Sequence, residues 1–331
     1  MTPESQEMRQ LRSMGCMLGA VLGDALAMPY ETLSARNPEP LAFGKPYRGH
    51  PHDMLMPGQY TDDGQIILMA ARTFAETQDG FDKTLYAREL LRTNNLRKFR
   101  YADGAVISAC RKMESSGNLL GSGICSDTAG CIGLAIPFAI AYSDRKEMAK
   151  ALADACTVTH TSPEAIAGTI ALALMLNTLI ETGDLAKGFA ALDTAAQNMF
   201  PELAVRITHA YRAADDRMPI ATAAAQMGTG SQTVQLLPLA AYLCRSFGSP
   251  EQLLSAAISC GGNCGTLAMI CGAVSGARYG INALPLGLVR GVERAGIFED
   301  LAKKLCIRAV PEKKEASEDD SPDKKPEEGQ A

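Results

Sequence analysis

The chain has 331 residues, 47% of them apolar, with 32 Lys and Arg against 37 Asp and Glu for a formal net charge of −5. That length accommodates one large globular domain or two ordinary ones. It carries neither a basic excess nor a Lys/Arg face interleaved with aromatics, which excludes a nucleic-acid binder.

Ala, Leu, Met and Glu dominate, apolar residues recur at three and four spacing, and alternating β-branched runs are scarce. The pattern predicts an all-α chain: a compact single-domain helical bundle of about a dozen or more helices over residues 5–308, with no composition break to divide it. At the start, Glu4 and Glu7 precede any apolar run, and the run from Cys16 is broken by Asp24. This is the wrong order for a secretory signal, and the expectation is a cytoplasmic protein. The first polar concentration follows at Gly19–Glu31, where Asp24 sits mid-helix among small residues and Glu31 follows the helix-ending Pro29. A tightly packed helix whose Asp24 caps a neighbour would explain Asp24 without any ligand.

Residues 34–59 carry five prolines, three glycines and two of the four histidines, and read as a long ordered loop of the kind that serves function. The loop leads into Thr61-Asp62-Asp63 and the apolar helix from Ile66. An N-cap Thr and one first-turn acid suit the helix dipole. Two adjacent carboxylates plus a hydroxyl after a Gly-Pro loop also offer the hard oxygen ligands that Mg²⁺ selects.

Further along, Asp144 and Glu147 predict a capping box at a helix start. Ser162-Pro163-Glu164 opens a helix closed by Gly183, and the same grammar recurs at Ser249-Pro250-Glu251. The apolar stretch 165–180 is interrupted by Gly168, Thr169 and Asn177 and falls short of the roughly 20 residues a membrane span needs, so no membrane partner is expected. His160 sits at a helix junction, where a satisfied structural role competes with a ligand role. Gly261-Gly262-Asn263 is a Gly-rich entry to the apolar helix from Leu267. The ten cysteines contain no CxxC and lie among apolar residues, which predicts reduced core thiols, with Cys260 and Cys264 unsuited to zinc for want of a nearby His. Residues 309–331 read as a disordered charged tail. Eight acids and four lysines lie from Pro311 onward, which leaves −1 for the body, and no apolar residue but Ala offsets the ordering entropy there.

Taken in order, these motifs resemble the ADP-ribosylglycohydrolase family over nearly all of residues 12–305. Gly23-Asp24-Ala-Leu-Ala-Met-Pro-Tyr-Glu31 is similar to its GDALGxPxE segment, and Pro57-Gly58-Gln-Tyr-Thr61-Asp62-Asp63 to its PGxxTDDT metal motif. Thr159-His160-Thr-Ser-Pro163 resembles its THxxP helix start, Gly228-Thr-Gly230-Ser231 with Leu237-Pro238 its glycine loop and LPxAL helix, and Gly261-Gly262-Asn263-Cys-Gly265-Thr266 its GGDxDT motif.

The resemblance implies hydrolysis of an ADP-ribosyl, or related ribosyl, glycosidic bond with the help of Mg²⁺ or Mn²⁺ in a cleft of an all-α fold. It implies Glu31 and Asp62 as catalytic carboxylates, and Thr61, Asp62, Asp63, Asn263 and Thr266 as the metal-ligand set. Asp24, Gly130, His160, Gly230, Ser231 and Gly262 would bind the ligand. The expected partner is an ADP-ribosylated protein or a small ADP-ribosyl compound. The departures matter: the family's last motif supplies two carboxylates where this chain has Asn263 and Gly265, Gly64 replaces the last residue of TDDT, and of the central NGxxMR stretch only Gly130 and the later Pro137 hold. Two carboxylates neutralise one divalent cation, whereas two uncompensated cations a few ångströms apart repel by several kcal/mol even at an effective dielectric of about 20. One ion rather than two is therefore expected. The alternative is a catalytically silent member that binds ADP-ribose or a nucleotide.

Overall fold

The computed structural model describes residues 3–34, 40–77 and 80–307, so the charged tail and residues 35–39 of the Pro-rich segment lie outside the described residues. Among the described residues fifteen α-helices run in order: α1 (Pro3–Ala27), α2 (Asp62–Glu76), α3 (Lys83–Asn95), α4 (Gly104–Ser116), α5 (Ala135–Ala141), α6 (Arg145–Cys156), α7 (Pro163–Thr182) and α8 (Leu185–Met199), then α9 (Pro201–Asp215), α10 (Ile220–Met227), α11 (Thr233–Ser246), α12 (Pro250–Ser259), α13 (Cys264–Tyr279), α14 (Leu286–Gly291) and α15 (Ala295–Ile307). No sheet forms among these residues, and one hydrophobic core runs through them. The all-α expectation holds.

Most boundaries follow from the predicted caps. Ser162 Oγ accepts from the Glu164 amide at 3.2 Å and Gly183 closes α7 in the left-handed region at φ 66°. Asp144 accepts from the amides of Lys146 and Glu147, but the reciprocal Glu147 half of the capping box is not formed among the described residues. Ser249 precedes α12 without a side-chain cap bond, so there the Pro at the first helical position marks the start alone.

Two helices organise the centre. Among the buried residues of α7, Asn177 ties that helix to its neighbour. Its amide donates to the carbonyls of Ala139 and Tyr142 at 3.0 and 2.9 Å and satisfies the end of α5. The α7 helix and the segment Glu4–Tyr30 are both long and apolar enough to cross a bilayer, more than the 165–180 stretch suggested. Of their most apolar windows, 78% and 89% respectively are buried inside the fold.

The other organising helix is α1, which runs antiparallel to α13 along a seam of small residues. A Cβ on Gly19 would run into the carbonyl of Gly272, one on Gly15 into that of Gly276, and one on Gly23 into that of Ala268. The backbones can approach this closely only because those side chains are absent. The seam brings the C-terminal end of α1, with Asp24 and Glu31 just beyond it, against the N-terminal turn of α13, with Asn263 and Thr266. At the opposite end of α1, Arg9 is 5% exposed. It pairs with Glu181 at 2.6 Å and donates to the carbonyls of Cys306 and Ile140, tying α1 to α7, α15 and α5. All ten cysteines are free, and nine of them are buried.

Candidate functional site

The two acids of the TDD segment begin α2. Thr61 caps the helix by accepting from the Asp63 amide at 3.3 Å. Asp24, fully buried in α1, holds the turn from below by accepting from the amides of Thr61 at 3.1 and 3.0 Å and of Gly64 at 2.8 Å. Gly64 packs on the Tyr60 ring, where a Cβ would lie 2.6 Å from Cγ, so the residue that departs from TDDT leaves room for this turn.

Above α2, the Glu31 loop and the Gly-rich entry to α13 are joined by main-chain bonds: the Thr32 amide to the Gly262 carbonyl at 2.8 Å and the Gly262 amide to the Leu33 carbonyl at 3.0 Å. Thr32 sits at φ 65° and Gly262 at φ 60°. A Cβ on Gly262 would strike the Thr229 carbonyl, so this close crossing of loops requires glycine. The Asn263 amide donates to Thr229 and the Ala129 amide to Ser231, both at 2.8 Å, which closes a ring of loops around a cleft of about 570 Å³.

Glu31, Asp62, Asp63, Asn263, Thr266, Gly130, Gly230, Ser231 and Gly262 line this cleft. Four of the five motifs, far apart in sequence, therefore meet at one place together with Gly130. Three sequence-assigned residues do not line it. Asp24 and Thr61 are spent on the start of α2. His160 is fully buried between Thr159 Oγ1 at 2.9 Å and Thr128 Oγ1 at 3.1 Å, with the Asp103 carboxylate 3.5 Å away. Each occupies a supporting position because its hydrogen-bonding capacity is used by protein groups. Another hollow, of about 860 Å³ beside Arg9 and Glu181, contains none of the motif residues.

Sequence reasoning missed Thr32, Tyr101 and Asp103 in the cleft wall, and His50 and His52 behind Glu31. Asp103 caps α4 through the Ala105 amide at 2.7 Å and accepts from Thr128 Oγ1 at 3.2 Å. The sequence signal for Asp103 is an Asp-Gly pair before an apolar helix, which reads as an ordinary cap. The two histidines stand out in the Pro-rich loop, but no motif gives them a partner.

Electrostatically the cleft is a group of buried acids. Burial, followed by the charges of Asp63, Glu31 and Asp24, pushes Asp62 well above the usual carboxylate range. Burial and the charges of Asp24 and Glu31 do the same to Asp63, against the bond from Thr266. Burial carries Asp24 up to about 6 despite its amide donors. Burial would also raise Asp103, but His160 holds it below its ordinary value. Burial would lower His160, but Cys131 and Asp103 beside it push it up to about 10.

Four carboxylates line the cleft; Asp103 has its Oδ1 committed to Ala105 and Thr128, and Asp62, Asp63 and Glu31 each have one oxygen committed and one free. Asp62 Oδ2 accepts from the Asp103 amide at 3.1 Å, Asp63 Oδ2 from Thr266 Oγ1 at 2.8 Å, and Glu31 Oε2 is bonded to His52 Nε2 at 2.7 Å. The remaining oxygens accept no hydrogen bond from the described residues. Asp62 and Asp63 have no ion-pair partner among those residues. Hard oxygens without a counter-charge are a donor set that one divalent cation fits. No cluster of three His, Cys, Asp or Glu suited to a metal forms among the described residues, and the residues at 263 and 265 are neutral.

The comparisons identify the family and the fold. The sequence profile of the family described as ADP-ribosylglycohydrolase matches residues 5–315. An uncharacterized protein of Archaeoglobus fulgidus is 29% identical over 308 residues, 88% of this chain and 94% of that protein. ADP-ribosylhydrolase ARH3 of Danio rerio is 24% identical over 340 residues, 89% of this chain and 90% of its own. A solved ADP-ribosylglycohydrolase-related protein complex superposes with a TM-score of 0.77 at 22% identity, covering 92% of this chain and all of that one, which shows the fold. The chain belongs to the ADP-ribosylglycohydrolase family, a family of glycohydrolase-type activity.

Proposed function

We propose that the protein hydrolyses an ADP-ribosyl or related ribosyl glycosidic bond, carried by an ADP-ribosylated protein or a small ADP-ribosyl compound, with the assistance of one divalent cation. The observation that carries this reading is the set of three uncommitted carboxylate oxygens, from Glu31, Asp62 and Asp63, around one cleft. Asp62 and Asp63 would hold Mg²⁺ or Mn²⁺, with the Asn263 carbonyl and the Thr266 hydroxyl beside them. When bound, the cation orients the ribose hydroxyls and offsets charge.

Glu31 is the general base. Its free Oε1 takes a proton from water as the water oxygen bonds to the anomeric carbon. The glycosidic bond breaks with its electron pair on the leaving atom, which then recovers a proton. Asp62 would serve the same chemistry as one of the residues holding the cation beside Glu31. Ser231 would offer its hydroxyl to the diphosphate, while Gly230 and Gly262, whose amides donate to Gln235 Oε1 and the Leu33 carbonyl, and Gly130, which packs on Asp103, would shape the wall around it. Asp24, Thr61 and His160 support this machinery from beneath.

The neutral Asn263 and Gly265 favour one specific alternative, a silent member that keeps the cleft to bind ADP-ribose or a nucleotide. Titration of the protein with Mg²⁺ and Mn²⁺, followed by melting temperature with and without ADP-ribose, tests the reading. It predicts a rise with either metal that saturates at one ion per chain and grows when ADP-ribose is added. An unchanged melting temperature with metal, together with ADP-ribose binding in the presence of chelator, would favour the silent member.

A further inference from the structure

His50 and His52 belong to none of the motifs that carry the family resemblance, yet both rings reach Glu31. His50 Nε2 lies 2.7 Å from the Glu31 main-chain carbonyl, a group that only accepts, so the proton of His50 is on Nε2. Its Nδ1 accepts from the His52 amide at 3.1 Å, which places a lone pair there and assigns the same tautomer independently. His52 Nε2 lies 2.7 Å from Glu31 Oε2. The ring is 2% exposed, and its Nδ1 has no partner among the described residues. A proton on Nδ1 would be a buried donor without an acceptor, which costs more than an idle lone pair. His52 therefore also carries its single proton on Nε2 and donates it to Glu31.

Two donors from one loop thus grip Glu31, one at its main chain and one at its side chain. On the chain's other side, Thr32 at φ 65° is bonded to Gly262. The grip has its own support: the His50 ring packs 5.4 Å from that of His52, and His52 meets the edge of Tyr101, also at 5.4 Å. With Oε2 taken, Oε1 is the only Glu31 oxygen left to receive a proton. Gly265 lies against the carboxylate as a whole, since a Cβ there would stand 3.2 Å from Oε2 and 3.4 Å from Oε1.

We infer that His52, backed by His50, is the positioning residue of the reaction, selecting Oε1 of Glu31 as the oxygen that acts on water. The inference rests on the reading of Glu31 as that carboxylate. It gives the Pro-rich loop a function that the motifs alone do not.

Two measurements on the full chain test it. Long-range ¹H–¹⁵N spectra of the histidine rings should show His50 and His52 as Nε2–H tautomers; an Nδ1–H form of either overturns the assignment. In steady-state kinetics with an ADP-ribosyl donor, His52→Leu should lower kcat about 10²-fold while KM and calorimetric ADP-ribose binding stay within about threefold, because only the aim of Glu31 is lost. His52→Gln, whose amide can donate from nearly the same place, should restore kcat to within about tenfold of wild type. A merely structural histidine would leave kcat per folded molecule unchanged in His52→Leu, or would make Gln as damaging as Leu, and either result overturns the proposal. If the wild-type chain turns over no donor, the reading of Glu31 fails, and the tautomer spectrum alone decides whether the histidines grip it.

Discussion

Asp62 and Asp63 occupy adjacent positions in the first turn of α2, where a helix tolerates acids well, yet their surroundings penalise both charges. Burial and neighbouring carboxylates raise both pKa values, so the ionised pair is a cost to the fold that the proposed divalent cation would offset. Asp63→Asn should therefore raise the melting temperature of the metal-free protein by a few degrees and abolish the further rise on adding Mg²⁺. Differential scanning calorimetry with and without Mg²⁺ reads both effects; an unchanged metal response would remove Asp63 from the ligand set. These two acids were legible in the sequence because a cap explains one carboxylate and not two. Asp103 and His52 were not, since an Asp before an apolar helix and a His in a Pro-rich loop acquire meaning only from partners 57 and 21 positions away.

At the level of elements, the small-residue helix read from the sequence is one half of a seam whose other half lies some 250 residues later. The Gly19–Gly272 and Gly15–Gly276 crossings give both Gly-rich stretches a packing reason that needs no ligand, and the same crossings place the site. Gly272→Ala inserts a methyl group against the Gly19 carbonyl and should destabilise by about 3 kcal/mol in urea titration. A change below about 0.5 kcal/mol would show that the helices are not in this contact. The polar foot of the seam behaves differently. Asp24→Ala leaves the amides of Thr61 and Gly64 without an acceptor in the interior, and should cost about 2–4 kcal/mol and loosen the start of α2. Faster amide exchange at residues 61–66, with α7 unchanged, would check that the damage is local. Helix boundaries were mostly legible from cap residues. The pairing of α1 with α13 was not, because periodicity assigns a buried face without naming what covers it.

Across the whole molecule, the net charge of −5 says little about the site, whose informative charges are a few buried acids. Asp24, Asp62 and Asp63 all have folded-state pKa values above their unfolded ones, with Asp24 at about 6. The folded state then holds protons that the unfolded chain releases. The stabilisation is complete below the unfolded value near 3.8 and is lost as pH rises through the folded values. Metal-free protein should accordingly melt at a lower temperature at about pH 7.5 than at about pH 5, and Mg²⁺ should shrink the difference. A metal-free melting temperature that rises over that interval would mean that the acids are not held protonated by the fold.

The central claim is that Glu31, aimed into a cleft with Asp62 and Asp63, acts on water at an ADP-ribosyl bond. Release of free ADP-ribose from ADP-ribosylated protein and from small ADP-ribosyl donors, measured with Mg²⁺ and with chelator for wild type and Glu31→Gln, tests it most directly. The account predicts Mg²⁺-dependent release by the wild type and a loss of at least about 10²-fold in Glu31→Gln with ADP-ribose binding retained. No release from any donor, or release undiminished in Glu31→Gln, would contradict it.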